Sequence, residues 1–354
     1  MYKIIDGSMG EGGGSLVRLS FALACLTQKP IHIKNIRANR PNPGLRTQHL
    51  VGIKTLQNIF GGELSHAEVG STEITYKPQT LTPELNEVDI RIGTAGSIAL
   101  VIQILRLALV NIEHSITLNF IGGATFGTGA PSIDYLINVT EPTLRLWGYS
   151  SKINILQHGF YPKGGAKVRF TIFPKNSEIS FQKITNLLTW QNITKIIGIS
   201  VATEHLQKAK VADRQRKAAL EILGPTFSKI PIEIKTLYVP ALSPGSGLTL
   251  WTEHKSPTSP IGACVIGQRG FPSEKLGKTA AHELLNHYNS YAVVDEYLAD
   301  QILSYAALHA PFSFSTSAIS SHTKTNIAVI EEFLSVKFSY QTENMKKIIN
   351  VEKV

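Results

Sequence analysis

The chain is poor in cysteine. Cys25 and Cys264 are the two in 354 residues, too few for a disulfide framework. Neither belongs to a CxxC pair, and no Cys/His spacing suits a structural zinc. Both lie in apolar surroundings and read as buried thiols, which fits a reducing compartment, with the cytoplasm the expected location. Long hydrophobic runs are missing as well. The longest, residues 98–112, carries Gln103, Arg106 and Asn111. It is too short and too polar to span a bilayer and reads as a buried helix, so no membrane partner is expected. The opening MYKIIDGS has no signal-peptide hydrophobic stretch. Acidic residues are in deficit, with 26 Asp and Glu against 35 Lys and Arg, a formal charge of +9. That excess suits a polyanionic partner. No basic motif interleaved with aromatics is present, which argues against base-specific reading of a nucleic acid.

What remains is an ordinary globular composition, 43% hydrophobic and 17% charged. The length suffices for two domains, or one large domain with an insertion. Residues 1–36 read as strand, glycine loop, helix (15–27) and strand, the last from its alternation. Residues 88–121 repeat the order: the strand VDIRIG, a TAGS loop, a helix over 97–111, and the strand SITLNFIGG. A further glycine loop at 161–165 enters the strand AKVRFTIF. After residue 290 a helix, EYLADQILSYAALH, leads to the strand FSFSTSA and another helix. The recurrence predicts an α/β (α+β) fold of repeated units. Residues 184–280 break the rhythm, with GISVATEHL as a strand, a charged helix, the strand IPIEIKTLYV, and a hairpin-like pair LTLWTEH and GACVIGQRG. The expected division is a large domain from 1–183 and 281–354, with a small α/β domain inserted at 184–280.

Three segments carry candidate chemistry. SSHTKTN at 320–326 precedes an amphipathic helix in which Ile327, Val329, Ile330, Phe333 and Leu334 recur at helical spacing. Ser320 or Ser321 caps that helix, leaving His322 in the first turn, where free N–H groups and the positive dipole end favour an anion. Taken alone, this is also what a surface histidine beside a cap looks like. The loop GSMGEGGGS at 7–15 opens a helix and can bring backbone N–H groups close to a phosphate. It is not the dinucleotide fingerprint, because Ser15 stands where the last glycine is required. Glu11 inside it would repel a phosphate unless a metal or a base lay between them. The third segment, residues 37–49, is a proline-broken loop bearing Arg37, Arg40 and Arg46, and guanidinium groups suit two-point contacts to phosphate. Each of the two loops reads equally well as a tight turn or a solvated charged segment.

Gly277-Lys278-Thr279 imitates a phosphate-binding P-loop ahead of a helix. The motif needs glycine five residues earlier, where Pro272 stands. Proline supplies neither the N–H nor the backbone freedom, so a P-loop NTPase is the weaker alternative.

Six segments in order resemble the RNA 3′-terminal phosphate cyclase family: GEGGGS at 10–15, RANRPNPGLRTQHL at 37–50, TAGS at 94–97, HGFYPKGG at 158–165, EYLADQ at 296–301 and SHTKTN at 321–326. Together they span nearly the whole chain. The resemblance implies repeated βαβαββ units with a smaller inserted domain. It implies ATP-dependent conversion of an RNA 3′-terminal phosphate to a 2′,3′-cyclic phosphodiester by a ligase of the nucleotidyl-transferring kind. The family also has relatives in ribosome biogenesis that lack the nucleophile; His322 favours the catalytic branch over such a scaffold. By resemblance His322 becomes adenylylated, and an RNA(3′)pp(5′)A intermediate follows. Tyr297 and Pro131 look like the residues that sandwich adenine. Gln103, Leu298, Ala299, Asp300 and Gln301 match positions at or near the nucleotide. Arg18, Arg37, Arg40 and Gln48 match polar residues around the phosphates, and Glu11 matches an acid proposed to bind a divalent cation, Mg²⁺ or Mn²⁺. Two departures touch this pattern: the segment before Pro131 lacks the common tryptophan, and Ala166 replaces a third glycine after Lys163.

Overall fold

The computed structural model describes residues 1–81, 85–175 and 184–354. The first unit runs β1 (Lys3–Asp6), α1 (Gly14–Thr27), β2 (Ile31–Lys34), α2 (Thr47–Phe60), β3 (Glu63–Ser65) and β4 (Ile74–Lys77). Its strands lie in the order β1-β2-β4-β3. The β1–β2 pair is parallel and the other two pairs are antiparallel, as a crossover helix followed by a hairpin-like return requires. The second unit repeats this. It comprises β5 (Glu87–Ser97), α3 (Ile98–Ala108) and β6 (Ile116–Ala124). A helix follows, formed of α4 (Ile133–Tyr135), a π-helical turn (Leu136–Thr140) and α5 (Glu141–Arg145), and then β7 (Ser151–Gln157) and β8 (Lys167–Ile172). Its order, β5-β6-β8-β7, is that of the first unit.

A third unit starts with β9 (Asn186–Leu187) and is then interrupted. The interruption holds β10 (Ile193–Thr203), α6 (Val211–Thr226), β11 (Ile232–Val239), β12 (Ser246–His254), β13 (Gly262–Ile266) and α7 (Ser273–Asn289). The unit resumes with α8 (Glu296–Leu308), β14 (Phe312–Thr316), α9 (Ser321–Phe333), β15 (Val336–Glu343) and β16 (Lys346–Lys353). Its sheet, β9-β14-β16-β15, completes a third βαβαββ unit, with β9 parallel to β14. The interrupting strands form their own sheet, β11-β10-β12-β13, on which α6 and α7 pack side by side. This is the α/β architecture of repeated units that the sequence pattern predicts.

One-sided burial explains the alternation. Along β5, Val88, Ile90 and Ile92 are buried while Glu87, Asp89 and Arg91 are exposed. The inward faces share one continuous core across the three units, and α1 packs on α2, α3 and α9. The charged break in the apolar helix has a structural partner. Arg106 forms a buried ion pair with Glu141, which also accepts from Ser151. The interrupting sheet has a core of its own, built around Ile196, Leu223, Leu250 and Leu284.

Several local expectations change. Residue 183 lies outside the described residues. Of the other expected bounds, 184 leaves β9 outside the third sheet, and 280 falls inside α7. TAGS is the irregular end of β5, where the register against β6 shifts between Ile92 and Ser97. Residues 204–206 turn as a short 3₁₀ segment and do not extend β10. Gly277-Lys278-Thr279 sits within α7 and does not precede it. A Cβ at Gly277 would stand 2.1 Å from the backbone oxygen of Gln215 in α6. The glycine therefore serves close helix packing, and Lys278 is exposed.

Candidate active site

His322 occupies the first turn of α9, where the sequence puts it. Ser320 is the cap: its hydroxyl accepts from the Thr323 N–H at 2.9 Å, and the Thr323 hydroxyl accepts from the Ser320 N–H at 3.2 Å. Both hydroxyls then donate to Asp300 of α8, Thr323 at 2.5 Å and Ser320 at 3.2 Å. Both cap hydroxyls are thereby satisfied, and the turn carrying His322 is pinned to a second helix. Burial pushes the Asp300 carboxyl up to about 6, opposed by the Thr323 hydrogen bond, the His322 charge and the Ser320 hydrogen bond.

The glycine loop reaches His322 from the first unit. Gly10 has φ of +62°, and a Cβ there would lie 2.1 Å from the Thr325 hydroxyl, so glycine alone lets the loop sit against α9. Glu11 follows it and is a hub. One carboxylate oxygen lies 3.2 Å from His322 Nδ1 and 3.1 Å from the Arg40 guanidinium; the other accepts from Ser321 at 3.2 Å. Ser15 Oγ is 3.4 Å from the same imidazole nitrogen. Glu11 is 16% exposed and His322 50%, so the acid is held while the ring stays accessible. With Nδ1–H donating to the carboxylate, the Nε2 lone pair is left free.

A cationic wall stands beside this pair. Arg18 lies on α1, where burial lowers its guanidinium to about 10 against the pull of Glu11, and it stays charged at neutral pH. Burial lowers the Arg37 guanidinium too, followed by the charges of Arg46 and Arg40. Arg37 Nε is buried and has no hydrogen-bond partner among the described residues. His49, buried behind them, is pushed down to about 3 by burial and then by Arg18, Arg37 and Arg46. It is neutral, with Nδ1 accepting from the Arg46 N–H at 3.1 Å. Gln48 is exposed in the first turn of α2. Four guanidinium groups with one carboxylate among them make a site that seeks an anion.

A cleft of about 550 Å³ opens next to the imidazole. Arg18, Gln103, Pro131, Tyr297, Asp300, Gln301 and His322 line it, bringing together seven residues from five separate segments. Tyr297 is 42% exposed, its ring edge-on to His287 at 5.9 Å. Gln301 is fixed by the Thr140 hydroxyl at 2.9 Å and by donating to the Tyr297 carbonyl at 3.0 Å. Arg37, Arg40, Gln48 and Glu11 stand outside the cleft wall on the loop side. Leu298 and Ala299 lie between these residues in sequence, and both side chains are fully buried in the core and are not part of the cleft wall. The helical period explains this, since Tyr297, Asp300 and Gln301 share the open face and the two residues between them face inward.

The interrupting segment contributes a wall that sequence reading missed. Cys264, Gln268, Phe271 and Glu283 all line the cleft. Cys264 is only partly buried, unlike Cys25. These residues follow no motif and reach the cleft only because α7 and β13 fold back onto α4 and the start of α8; Asp295, the cap of α8, accepts from both Tyr135 and the Gly262 N–H.

Among the described residues no three His, Cys, Asp or Glu side chains are grouped to hold a metal ion. Glu11 is the single acid at the loop. It fits an ion that takes the rest of its shell from phosphate oxygens and water. No helix among the described residues is long and apolar enough to cross a membrane.

Comparison with known proteins agrees with the motif pattern. The family model described as RNA 3′-terminal phosphate cyclase matches residues 9–340. The RNA 3′-terminal phosphate cyclase of Pyrococcus furiosus is 41% identical over 340 residues, covering 95% of this chain and 94% of the relative. That of Methanosarcina barkeri is 42% identical, covering 94% and 95%. That of Archaeoglobus fulgidus is 38% identical, covering 94% and 97%. With a match over nearly its whole length, the chain belongs to the RNA 3′-terminal phosphate cyclase family.

Proposed function

We propose that this protein converts an RNA 3′-terminal phosphate to a 2′,3′-cyclic phosphodiester at the expense of ATP, through a histidine–AMP intermediate. The observation that supports the reading is the His322–Glu11 pair, made through Nδ1 beside the cleft that His322 lines, with an arginine wall next to it. Neutral His322 attacks the α-phosphorus of ATP through Nε2, forming a phosphoramidate as pyrophosphate leaves. Glu11 holds the Nδ1 proton and stabilises the positive charge that grows on the ring. An oxygen of the RNA 3′-phosphate then attacks the AMP phosphorus and displaces His322, giving RNA(3′)pp(5′)A. Finally the neighbouring ribose 2′-OH attacks the 3′ phosphorus, its proton is lost, and AMP leaves. That last step is intramolecular, so orientation supplies much of its rate. It requires RNA, because DNA has no 2′-OH.

In this reading Tyr297 and Pro131 hold the adenine, with Gln103, Asp300 and Gln301 around the nucleotide. Arg18, Arg37 and Arg40 take the phosphate charge, and Gln48 adds a polar contact. A Mg²⁺ or Mn²⁺ ion at Glu11 would neutralise developing charge on phosphate oxygens. Residues of the three βαβαββ units form the catalytic domain, and the interrupting sheet with α6 and α7 forms a smaller domain over the cleft. The free thiols suit the cytoplasm.

The test is label transfer from ATP labelled at the α-phosphate, in the presence of a divalent cation. Wild-type protein is expected to retain acid-labile, alkali-stable label, and His322→Ala to retain none. No label on folded wild-type protein with either cation would remove the covalent mechanism and favour an RNA-binding scaffold.

A further inference from the structure

Glu283 is left over by the reaction just described. It lies on α7, in the interrupting segment, and lines the cleft together with Tyr297 and Pro131. One turn further along the same helix face, His287 packs edge-on against the Tyr297 ring. Glu283 Oε2 is buried and has no hydrogen-bond partner among the described residues. Burial pushes the carboxyl up to about 7, with the Glu296 charge adding to it, and Glu283 in turn helps raise the Tyr297 hydroxyl. A buried acid oxygen at the wall of a cleft is costly unless a ligand brings it a donor. The charged group felt most at Glu283 is another acid, Glu296 at the start of α8, so its surroundings add repulsion.

We propose that Glu283 is a specificity-determining residue that accepts a hydrogen bond from the exocyclic amino group of adenine. The inference rests on the reading of the cleft as the nucleotide site. Adenine offers N–H donors at its 6-position, whereas guanine offers the O6 acceptor there. A carboxylate oxygen beside that position favours the first and opposes the second, and a buried polar group left facing the wrong partner discriminates strongly. The ring faces of Tyr297 and Pro131 cannot do this, because stacking is tolerant of base identity. The segment that interrupts the third unit thereby supplies the base selectivity of a site built by the others.

Equilibrium binding of the α,β-methylene analogues of ATP and GTP tests this, since neither can transfer its α-phosphate. Wild-type protein should prefer the adenine analogue by tenfold or more. Glu283→Leu should weaken the adenine analogue by about tenfold while leaving the guanine analogue unweakened. Glu283→Gln should keep the adenine analogue within about threefold and gain guanine affinity, because an amide turned about can donate to O6. If Glu283→Leu keeps the wild-type preference, Glu283 does not read the base. If it weakens both analogues equally, the carboxyl serves a group common to both nucleotides, and the proposal falls while the nucleotide site stands. Failure of wild-type protein to bind either analogue would overturn the nucleotide reading itself.

Discussion

Asp300 shows how much a single half-buried acid can do for the site it lines. It takes two hydroxyl hydrogen bonds from the cap of α9 and so fixes the turn that presents His322. Its carboxyl is held up to about 6 from an ordinary 3.8, chiefly by burial. An acid raised on folding contributes its full stability below its unfolded value, and that contribution is lost as pH rises through the folded value. For Asp300 the window is therefore about pH 4 to 6, and the loss is on the order of 2–3 kcal/mol. Urea denaturation of wild-type protein and Asp300→Asn across pH 4 to 7 should show a smaller decline with pH in the variant. Equal declines in both would mean that Asp300 is not held in its protonated form on folding. In the sequence the residue was visible only as a position in EYLADQ; its role as the anchor of the cap needed α8 and α9 side by side.

At the scale of elements, α7 separates what a motif suggests from what packing requires. Gly277-Lys278-Thr279 has the letters of a phosphate loop, yet it is the middle of a helix pressed against α6. Gly277→Val would drive a side chain into the Gln215 carbonyl and should cost about 1–3 kcal/mol, read as a lower denaturation midpoint. Lys278→Ala, on the exposed side, should change stability by less than about 0.5 kcal/mol and leave label transfer intact. Loss of label transfer in Lys278→Ala would reopen the P-loop reading. The helices and strands of the three units were largely legible, because one-sided burial prints a period on the sequence. TAGS was not, since a bulged strand end and a loop share the same small residues. Leu298 and Ala299 sit beside cleft residues in EYLADQ, and the helix turns their side chains into the core.

The whole molecule carries a charge of +9, but its effect on the reaction depends on where that charge collects. Arg18, Arg37, Arg40 and Arg46 are far apart along the chain or on a single irregular loop, and folding gathers them about Glu11 and His49. If they receive the RNA end, binding of a short RNA bearing a 3′-phosphate should weaken steeply between 50 and 200 mM salt, as counterion release requires (salt range of order 10² mM). Arg37→Ala should weaken that binding and reduce the slope of log affinity against log salt by about 0.7, the contribution of one phosphate contact on a single strand. Fluorescence anisotropy with a labelled RNA measures both, and an unchanged slope would remove Arg37 from the RNA contact.

By itself the sequence determined the recurring α/β units, a break in their rhythm after about residue 184, and the residues of the histidine cap, the glycine loop and the arginine loop. These are local matters: periodicity, caps and turn chemistry act over a few residues and leave their mark in the letters. Only the tertiary structure decided that Glu11 meets His322 across more than 300 residues of chain. It likewise decided that the core claims Leu298 and Ala299, and that α7 closes the cleft with Glu283. Those outcomes depend on which helix faces which across a shared core, and no short-range pattern encodes such a pairing.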